Sequence, residues 1–362
     1  MVYRMKVKQF RSLYTHATFS ALPEDAQQSV HALKVALSHG EMDGEPEAYR
    51  GAMASVSAAA VPHASYQIRE IARLHPVRFP ENLHSTDQAR IGSLLRQHPA
   101  LGWLIVFHGD GYLRQAALEH LPAAPMSPFE FCSIVYRLND WVDNVRRSAE
   151  QYAAAQFPVT PAAVVAQSAF FLLSQANVLG RWTPCGRSLL EQAIYRPDVL
   201  LHLKDEMLRV RSGRVSHILR LLLRRPDFDR HLPTLALEAA LPPVRAVAME
   251  MLLMSRARWF IGYREEWIDK VYGISRRVPV IGSRATSVPA DVAVYLNAAV
   301  RDRSALVRKV AAEALATGWQ DGTEAMDEAA NILKQDRNPA VQSRAVFYLQ
   351  KRSQAASNPR EP

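Results

Sequence analysis

The feature that most constrains the fold is a segment that recurs 34 positions further along the chain. "DRSALVRKVAAEALATG" occupies 302–318, and "DRNPAVQSRAVFYLQKR" occupies 336–352. Superposing the two segments pairs Asp302 with Asp336, Val307 with Val341, Arg308 with Gln342, Ala311 with Ala345 and Leu315 with Leu349. The shared order of an acid, a short loop and a helix rich in small residues indicates a repeated helical unit.

Each part of this unit has a physical role. An aspartate before a helix accepts hydrogen bonds from the free amides of the first turn and lies at the positive end of the helix dipole. The valine, alanine and leucine positions are four residues apart and form one apolar stripe, and the alanine allows close approach of a neighbouring helix. A single helical pair buries only part of this stripe, so the pairs are expected to stack.

The same template fits three upstream segments: "GYLRQAALEHL", "DWVDNVRRSAEQYA" and "PPVRAVAMEMLL". The arginine position of the template falls at 114, 146, 245, 308 and 342, with intervals of 32, 99, 63 and 34 residues. These intervals are close to one, three, two and one units. The spacing therefore predicts a continuous array with degenerate units near 180, 212 and 277.

These residues resemble the HEAT-type repeats, in the short bacterial form also named after phycobilin lyases. The resemblance covers roughly 100–352 and implies an all-α fold, a right-handed α-α superhelix of stacked helical hairpins. It also implies a ladder of loop aspartates and helical arginines that links successive repeats: Asp140, Arg146, Arg245, Asp302, Arg308 and Asp336. Carried over residue by residue, the resemblance implies Asp140 with Arg146 and Asp302 with Arg308, with bonds from each to the neighbouring repeat as the alternative. Gln342 departs from the pattern, so no ion pair is expected there.

The rest of the chain divides around this array. Residues 1–95 are predicted to form an irregular helical cap, which includes a helix in "LPEDAQQSVHALKVALSHG", and 96–352 to form the array. A basic loop insertion is expected near 262–292, and the tail 353–362 is expected to be disordered. No strand alternation is evident.

The net charge of +9 is concentrated in one part of the chain. Between positions 204 and 284 there are 16 basic and nine acidic residues. This surplus fits either a solvated surface or a docking face for an acidic partner. The candidate binding residues are Arg209, Arg211, Arg214, Arg220, Arg224, Arg225, Arg256, Arg258, Arg276, Arg277 and Arg284. Trp259, Tyr263 and Trp267 have helical spacing that favours a place in the core, with stacking on nucleic-acid bases as the alternative.

The sequence contains no pattern typical of a membrane-spanning segment or of a cofactor site. Its N-terminus has no apolar stretch typical of a signal peptide, and its apolar run at 100–107 is far too short to span a bilayer, so no membrane insertion is expected. With two cysteines and no disulfide or metal motif, a cytoplasmic location is predicted. No catalytic residue, metal ligand, cofactor or small-molecule substrate is evident.

Three functions remain open. The first is a non-enzymatic scaffold or adaptor that binds a partner protein in a multi-subunit assembly, and the second is nucleic-acid binding through the basic part of the chain. The third rests on resemblance to alkylpurine DNA glycosylases built from HEAT-like repeats, in which tryptophans and an aspartate line a basic groove. Trp141 beside Asp140 and Asp143, with Trp182 further along, offers similar residue types.

Overall fold

A computed structural model describes residues 20–40, 42–75, 81–175, 180–289 and 291–357. Most of this part of the chain is helical, as expected from an all-α fold, and it also contains one small two-stranded antiparallel sheet that the sequence did not predict. The chain divides into two compact units, Met1–Ala193 and Ile194–Pro362, which are described separately.

The first unit contains ten helices among its described residues. They are α1 (Glu24–His39), α2 (Glu45–Met53), α3 (Val61–Ala72), α4 (Glu81–Gln97), α5 (Gly102–Ile105), α6 (Gly111–His120), α7 (Pro128–Leu138), α8 (Asp143–Gln156), α9 (Ala162–Gln175) and α10 (Pro184–Ile194), whose last residue crosses the division. Helix α1 confirms the prediction for its segment, because it ends at Gly40 in the left-handed conformation, with a φ of 82°. The predicted boundary at 95 is wrong, since it falls inside α4.

The second unit holds eight helices among its described residues. They are α11 (Pro197–Arg209), α12 (Val215–Leu222), α13 (Leu232–Glu238), α14 (Pro242–Leu253), α15 (Val292–Val300), α16 (Ala305–Thr317), α17 (Glu324–Leu333) and α18 (Pro339–Ser357). Helix α16 packs between α14 and α18, and α15 packs against α17, so consecutive helical pairs lie side by side. Helix α18 continues to Ser357, and the predicted disordered tail is therefore helical at 353–357; 358–362 lie outside the described residues.

The apolar stripe predicted from the repeat is buried. In α14, Val244, Ala248 and Leu252 are fully inaccessible to solvent, and the equivalent residues of α8 and α16 are buried as well. The stripe therefore forms the surface on which neighbouring helices pack. Burial of these aliphatic side chains is the main source of stability in such an array.

Three arginines link consecutive helical units with the same geometry. Arg245 donates from Nε and Nη2 to the two carboxylate oxygens of Asp302, at 2.8 and 3.0 Å. Its Nη1 donates to the carbonyl oxygens of Ala239 and Ala240 in the loop before its own helix. Arg114 makes the equivalent bonds to Asp140, and Arg308 makes them to Asp336. Each arginine thus joins its own loop to the acid of the following unit.

Of the two pairings that the resemblance left open, this geometry is the one between neighbouring units. Arg146 donates to the carbonyl oxygen of Asp140, while the carboxylate of Asp140 binds Arg114 and Arg137. Arg146 forms its ion pair with the exposed Asp143 instead. The ladder runs from an arginine to the aspartate of the next unit. Within one unit, Arg146 and Arg308 contact the ladder aspartates Asp140 and Asp302 through the backbone carbonyl oxygen.

Each ladder aspartate also fixes the start of the following helix. Asp302 Oδ1 accepts a hydrogen bond from the backbone N–H of Ser304, at 2.7 Å. Burial alone would raise the pKa of Asp302, but the hydrogen bonds from Arg245 and Ser304 outweigh it and hold the pKa below its ordinary value. The carboxylate is therefore charged at neutral pH and anchors both the arginine and the loop.

Candidate functional site

The segment predicted as a basic loop is a long β-hairpin that starts earlier than expected. Strands β1 (Arg256–Asp269) and β2 (Ile274–Ala285) pair in antiparallel register, with bulges after Phe260 and after Trp267. The prediction of a loop at 262–292 is wrong for the strand residues. The helical core position expected for the aromatic residues is wrong too, since Tyr263 and Trp267 are 59% and 52% exposed.

The hairpin is an insertion within a single repeat step. Arg114 and Asp140 are 26 residues apart, and Arg308 and Asp336 are 28 apart, whereas Arg245 and Asp302 are separated by 57. The hairpin accounts for thirty of those residues. Without the hairpin, Arg245 and Asp302 would be 27 residues apart, which matches the other two steps. The interval of 63 between the template arginines Arg245 and Arg308 is therefore one unit plus a hairpin. The degenerate unit expected near 277 does not exist.

Arg284 of β2 anchors the base of the hairpin to the helices. Its Nη1 and Nη2 donate to the two oxygens of the fully buried Asp229, at 2.7 and 2.6 Å. The same guanidinium donates to the carbonyl oxygens of Leu223 and Arg225. Asp229 also accepts bonds from the backbone and hydroxyl of Ser287. Arg284 is therefore a structural residue, although the sequence placed it in the binding surface.

The first residues of β1 are also held by the helices. Helices α12 and α14 pack against this strand, and Ala257 is fully buried. Arg220 donates to Glu250 of α14 and to the carbonyl oxygen of Arg258, at 2.5 and 3.2 Å. The base of β1 is therefore attached to α12 and α14 by packing and by hydrogen bonds.

Further along, the hairpin presents one solvent-exposed face, here called the shaft face. Residues on this face pair across the strands in the order Arg258 with Ser283, Phe260 with Ile281, Tyr263 with Pro279, Glu265 with Arg277 and Trp267 with Ser275. All ten are exposed. The opposite face is more protected, because Trp259 lies across Gly282, where an added Cβ would come within 2.5 Å of the indole nitrogen.

Aromatic and basic side chains contact each other on the shaft face. The rings of Phe260 and Tyr263 are edge to face, with centroids 5.0 Å apart. The guanidinium of Arg277 lies 5.0 Å from the centroid of the Tyr263 ring. This cation–π contact holds an arginine and two aromatic rings together on a surface open to solvent.

The turn between the strands and its flanking residues Ile268 and Ile274 are together called the apex. The apex is strongly apolar. Val271 and Tyr272 are 89% and 79% exposed, and Ile268 and Ile274 are 64% and 50% exposed. Lys270 is also exposed. Gly273, with a φ of 65°, closes the turn. A cluster of large apolar residues with this exposure is uncommon on a protein surface that faces water.

The arginines predicted as a basic surface fall into two groups. Nine are exposed: Arg209, Arg211, Arg214, Arg224, Arg225, Arg256, Arg258, Arg276 and Arg277. Arg220 and Arg284 are partly buried in the contacts that hold the hairpin. Of the exposed ones, Arg276 pairs with Glu266 and Arg225 pairs with Asp227. The structure thus brings the hairpin arginines together with apolar residues that the sequence had assigned to a core.

The residues that suggested a glycosylase do not form an open acidic site. Asp140 is buried, and its carboxylate is occupied by Arg114, Arg137 and the backbone N–H of Val142. Trp141 is 72% exposed, with its ring 6.0 Å from the guanidinium of Arg114. Asp140 is therefore a ladder residue, and its carboxylate is already bound by arginines and is not open to a ligand.

The described residues offer neither a metal site nor a membrane-spanning helix. In the ranges that the structure describes, histidine, cysteine, aspartate and glutamate side chains form no cluster of three or more suited to a metal ion. Among the helices of those same ranges, none combines the length and the apolar character needed to cross a bilayer. The sequence matches no known family model, and no curated protein is significantly similar to it.

Proposed function

We propose that this protein is a non-enzymatic helical-repeat scaffold that holds a partner protein on the shaft face of its hairpin. The repeats are of HEAT type and stack in a right-handed superhelix, and the protein works in the cytoplasm as part of a multi-subunit assembly. One observation carries the proposal: a firmly anchored hairpin exposes aromatic, aliphatic and arginine side chains together. Aromatic and arginine side chains dominate the binding energy of protein interfaces, and the aliphatic residues add apolar surface around them.

Binding across the face is favoured over pairing at a strand edge. Proline is tolerated in a strand where its missing N–H points away from the ladder, so Pro279 removes a donor from the outer edge of β2. The bulges at Ile261 and Ile268 interrupt the outer edge of β1. Both features disfavour the addition of another strand. The exposed side chains of the shaft face are therefore the part of the hairpin available to a partner.

The charge of the hairpin indicates an acidic partner surface. Residues 256–285 carry seven basic and three acidic side chains. On the shaft face, Arg258 and Arg277 flank Phe260 and Tyr263, so a partner with carboxylates around an apolar patch would match both. Trp267 extends the apolar surface towards the turn.

The test compares proteins recovered with the tagged wild type and with two hairpin variants from its own cells. Phe260→Ser with Tyr263→Ser removes the apolar part of the shaft face. The hairpin-truncated variant replaces residues 260–281 with Asn-Gly, which joins the paired residues Trp259 and Gly282 by a two-residue turn and retains the Arg284 anchor. The control is Tyr112→Ser, which removes a tyrosine that is 72% exposed in the first unit.

We expect a specific partner to be depleted at least tenfold with both hairpin variants and retained with the control. The purified partner should then bind the wild type directly, and more weakly as salt increases. Recovery of the same partners by all four proteins would contradict the proposal.

Nucleic-acid binding is the second candidate, favoured by the exposed Tyr263 and Trp267 beside Arg277. Aromatic rings next to arginines can stack on unpaired bases. The aliphatic residues Ile268 and Ile281, and Glu265 on the shaft face, fit a protein partner better. Titration of labelled single-stranded and duplex DNA and RNA at about 50 and 200 mM salt separates the two, because phosphate contacts give a steep salt dependence. Tight, salt-sensitive binding that the truncation abolishes would support this second candidate.

A further inference from the structure

The apex of the hairpin differs in character from the shaft face. Its four large apolar residues, Ile268, Val271, Tyr272 and Ile274, surround a turn at the far end of strands that run for about a dozen residues, roughly 40 Å. Helices α12 and α14 pack near the base of β1. The apex is therefore a narrow, convex, apolar point held well away from the helices.

The acid of the turn, Asp269, is directed into the turn itself. Its Oδ1 accepts hydrogen bonds from the backbone N–H groups of Val271 and Tyr272, at 2.8 and 3.2 Å. Glu266, three residues earlier, pairs with Arg276. Lys270 projects from the turn as an exposed cation. The tip of the hairpin thus presents apolar and basic groups, while its nearest carboxylates are engaged.

We propose that the apex inserts into the interfacial layer of a membrane that contains anionic lipid, so that the protein lies on the membrane without spanning it. Aliphatic side chains would enter the boundary of the acyl chains, and Trp267 and Tyr272 have the amphipathic rings that prefer the headgroup level. Lys270 and Arg277 would lie near the lipid phosphates. This inference goes beyond the proposed partner binding, which rests on Phe260 and Tyr263 of the shaft face; the two surfaces share Trp267 and Arg277.

The small size and convex shape of the apex favour a lipid surface over a protein at this point. A stable protein interface uses about 20–30 residues on each side, with closely complementary shapes. The apex supplies five apolar side chains when Trp267 is included, on a convex point. A lipid surface deforms around such a point, and a few inserted side chains with a nearby cation give reversible binding.

The first test is sedimentation of the full-length protein with large vesicles. One set is phosphatidylcholine alone, and the other is about 70% phosphatidylcholine and 30% phosphatidylglycerol. We expect the wild type to sediment with the mixed vesicles and several-fold less with phosphatidylcholine alone, because each basic side chain near an anionic surface contributes about a fivefold gain. Absence of the wild type from both pellets would overturn the inference.

The matched variants are Val271→Asp in the apex and Val159→Asp in the first unit. Both valines are highly exposed, at 89% and 68%, so neither change should affect folding. Val271→Asp is expected to lower the partition coefficient at least tenfold, and Val159→Asp to leave it unchanged. Equal binding of Val271→Asp and the wild type would show that the apex is not the contact and would overturn the inference.

A fluorescent label distinguishes insertion from adsorption by the basic surface. Val271→Cys in a Cys185→Ser background places an environment-sensitive label at the apex, since Cys185 is exposed and Cys132 is buried. Its emission should shift to the blue with mixed vesicles, whereas a label at Val159→Cys should not shift. Sedimentation with no shift at the apex would mean electrostatic adsorption only, and would overturn insertion. Failure of these lipid tests leaves the partner test on Phe260 and Tyr263 unaffected, and the reverse also holds.

Discussion

At the scale of single residues, the ladder arginines organise the helical units. All three guanidinium nitrogens of Arg245 donate: Nε and Nη2 to Asp302, and Nη1 to two carbonyl oxygens of its own loop. Both partners of the pair are largely buried, with side-chain exposures of 10% and 13%. A buried, bidentate pair is costly to break, because the remaining charge loses its partner in a place where water cannot replace it.

Asp302→Asn is therefore expected to destabilise the protein by about 2–3 kcal/mol. The substitution keeps the shape of the side chain but removes the charge opposite Arg245. Asp143→Asn is the control, since Asp143 pairs with Arg146 while 66% exposed, and its loss should cost less than about 1 kcal/mol. Denaturant unfolding followed by circular dichroism measures both values. Equal effects of the two substitutions would contradict the role given to the ladder.

The ladder also predicts a dependence on pH at Asp336. The hydrogen bond from Arg308 is the main reason why the pKa of Asp336 lies below its ordinary value; burial opposes it, and the backbone N–H of Asn338 adds to it. A lowered pKa in the folded state stabilises the protein fully above the unfolded pKa of about 3.9, and this stabilisation is lost as the pH falls towards the folded pKa.

The difference in unfolding free energy between the wild type and Asp336→Asn should thus be constant from pH 7 to about pH 5 and shrink below about pH 4. Other carboxylates are common to both proteins and cancel in the difference. The measurement is the denaturant midpoint at each pH. A difference that grows on acidification would show that the sign of the pKa shift is wrong.

At the scale of elements, the helices were predictable and the hairpin was not. The stripe formed by Val307, Ala311 and Leu315 is buried as predicted, because helical spacing and one-sided burial produce the same pattern. In the hairpin, Trp259, Tyr263 and Trp267 are four residues apart, which imitates a helix. The two bulges change which residues of β1 lie on the same face, so a strict two-residue period is lost. Apolar residues are also exposed on the shaft face, so the sequence lacks the polar and apolar alternation typical of a half-buried strand.

The hairpin depends on one buried arginine, which the sequence could not distinguish from its exposed neighbours. Arg284 and Arg276 both lie in β2 and both pair with a carboxylate. Asp229, the partner of Arg284, has no exposed surface, whereas Arg276 and Glu266 are 63% and 43% exposed. Asp229 lies 55 residues before Arg284, so only the fold brings the two together and buries the acid. The sequence therefore gives no sign of this pair.

Arg284→Met is accordingly expected to destabilise the second unit by about 3 kcal/mol, since it leaves Asp229 buried without its cation. Arg276→Met should have little effect, because its pair is exposed to solvent. Thermal unfolding of both variants, together with limited proteolysis of the hairpin, measures the difference. If both variants unfold like the wild type, the anchor assigned to Arg284 is wrong.

At the scale of the whole molecule, each compact unit contains its own ladder contacts. Arg114 and Asp140 lie in the first unit, while Arg245, Asp302 and Arg308 lie in the second. In arrays of stacked pairs, a local change mainly affects the pairs that contact it, so stability is close to a sum over neighbours. Division of the contacts into two units suggests that this locality extends to unfolding.

Hydrogen exchange measured by mass spectrometry tests this locality with one substitution in each unit. Asp140→Asn removes the carboxylate charge that binds Arg114 and Arg137, so it should lower the protection of amides within 102–193 and leave those of 194–357 unchanged. Asp302→Asn should give the reverse pattern, with the loss centred on α14 to α16, because these helices pack next to the broken pair. Loss of protection along the whole chain from either substitution would mean that the two units unfold as one, and that the contacts within each unit do not set its stability alone.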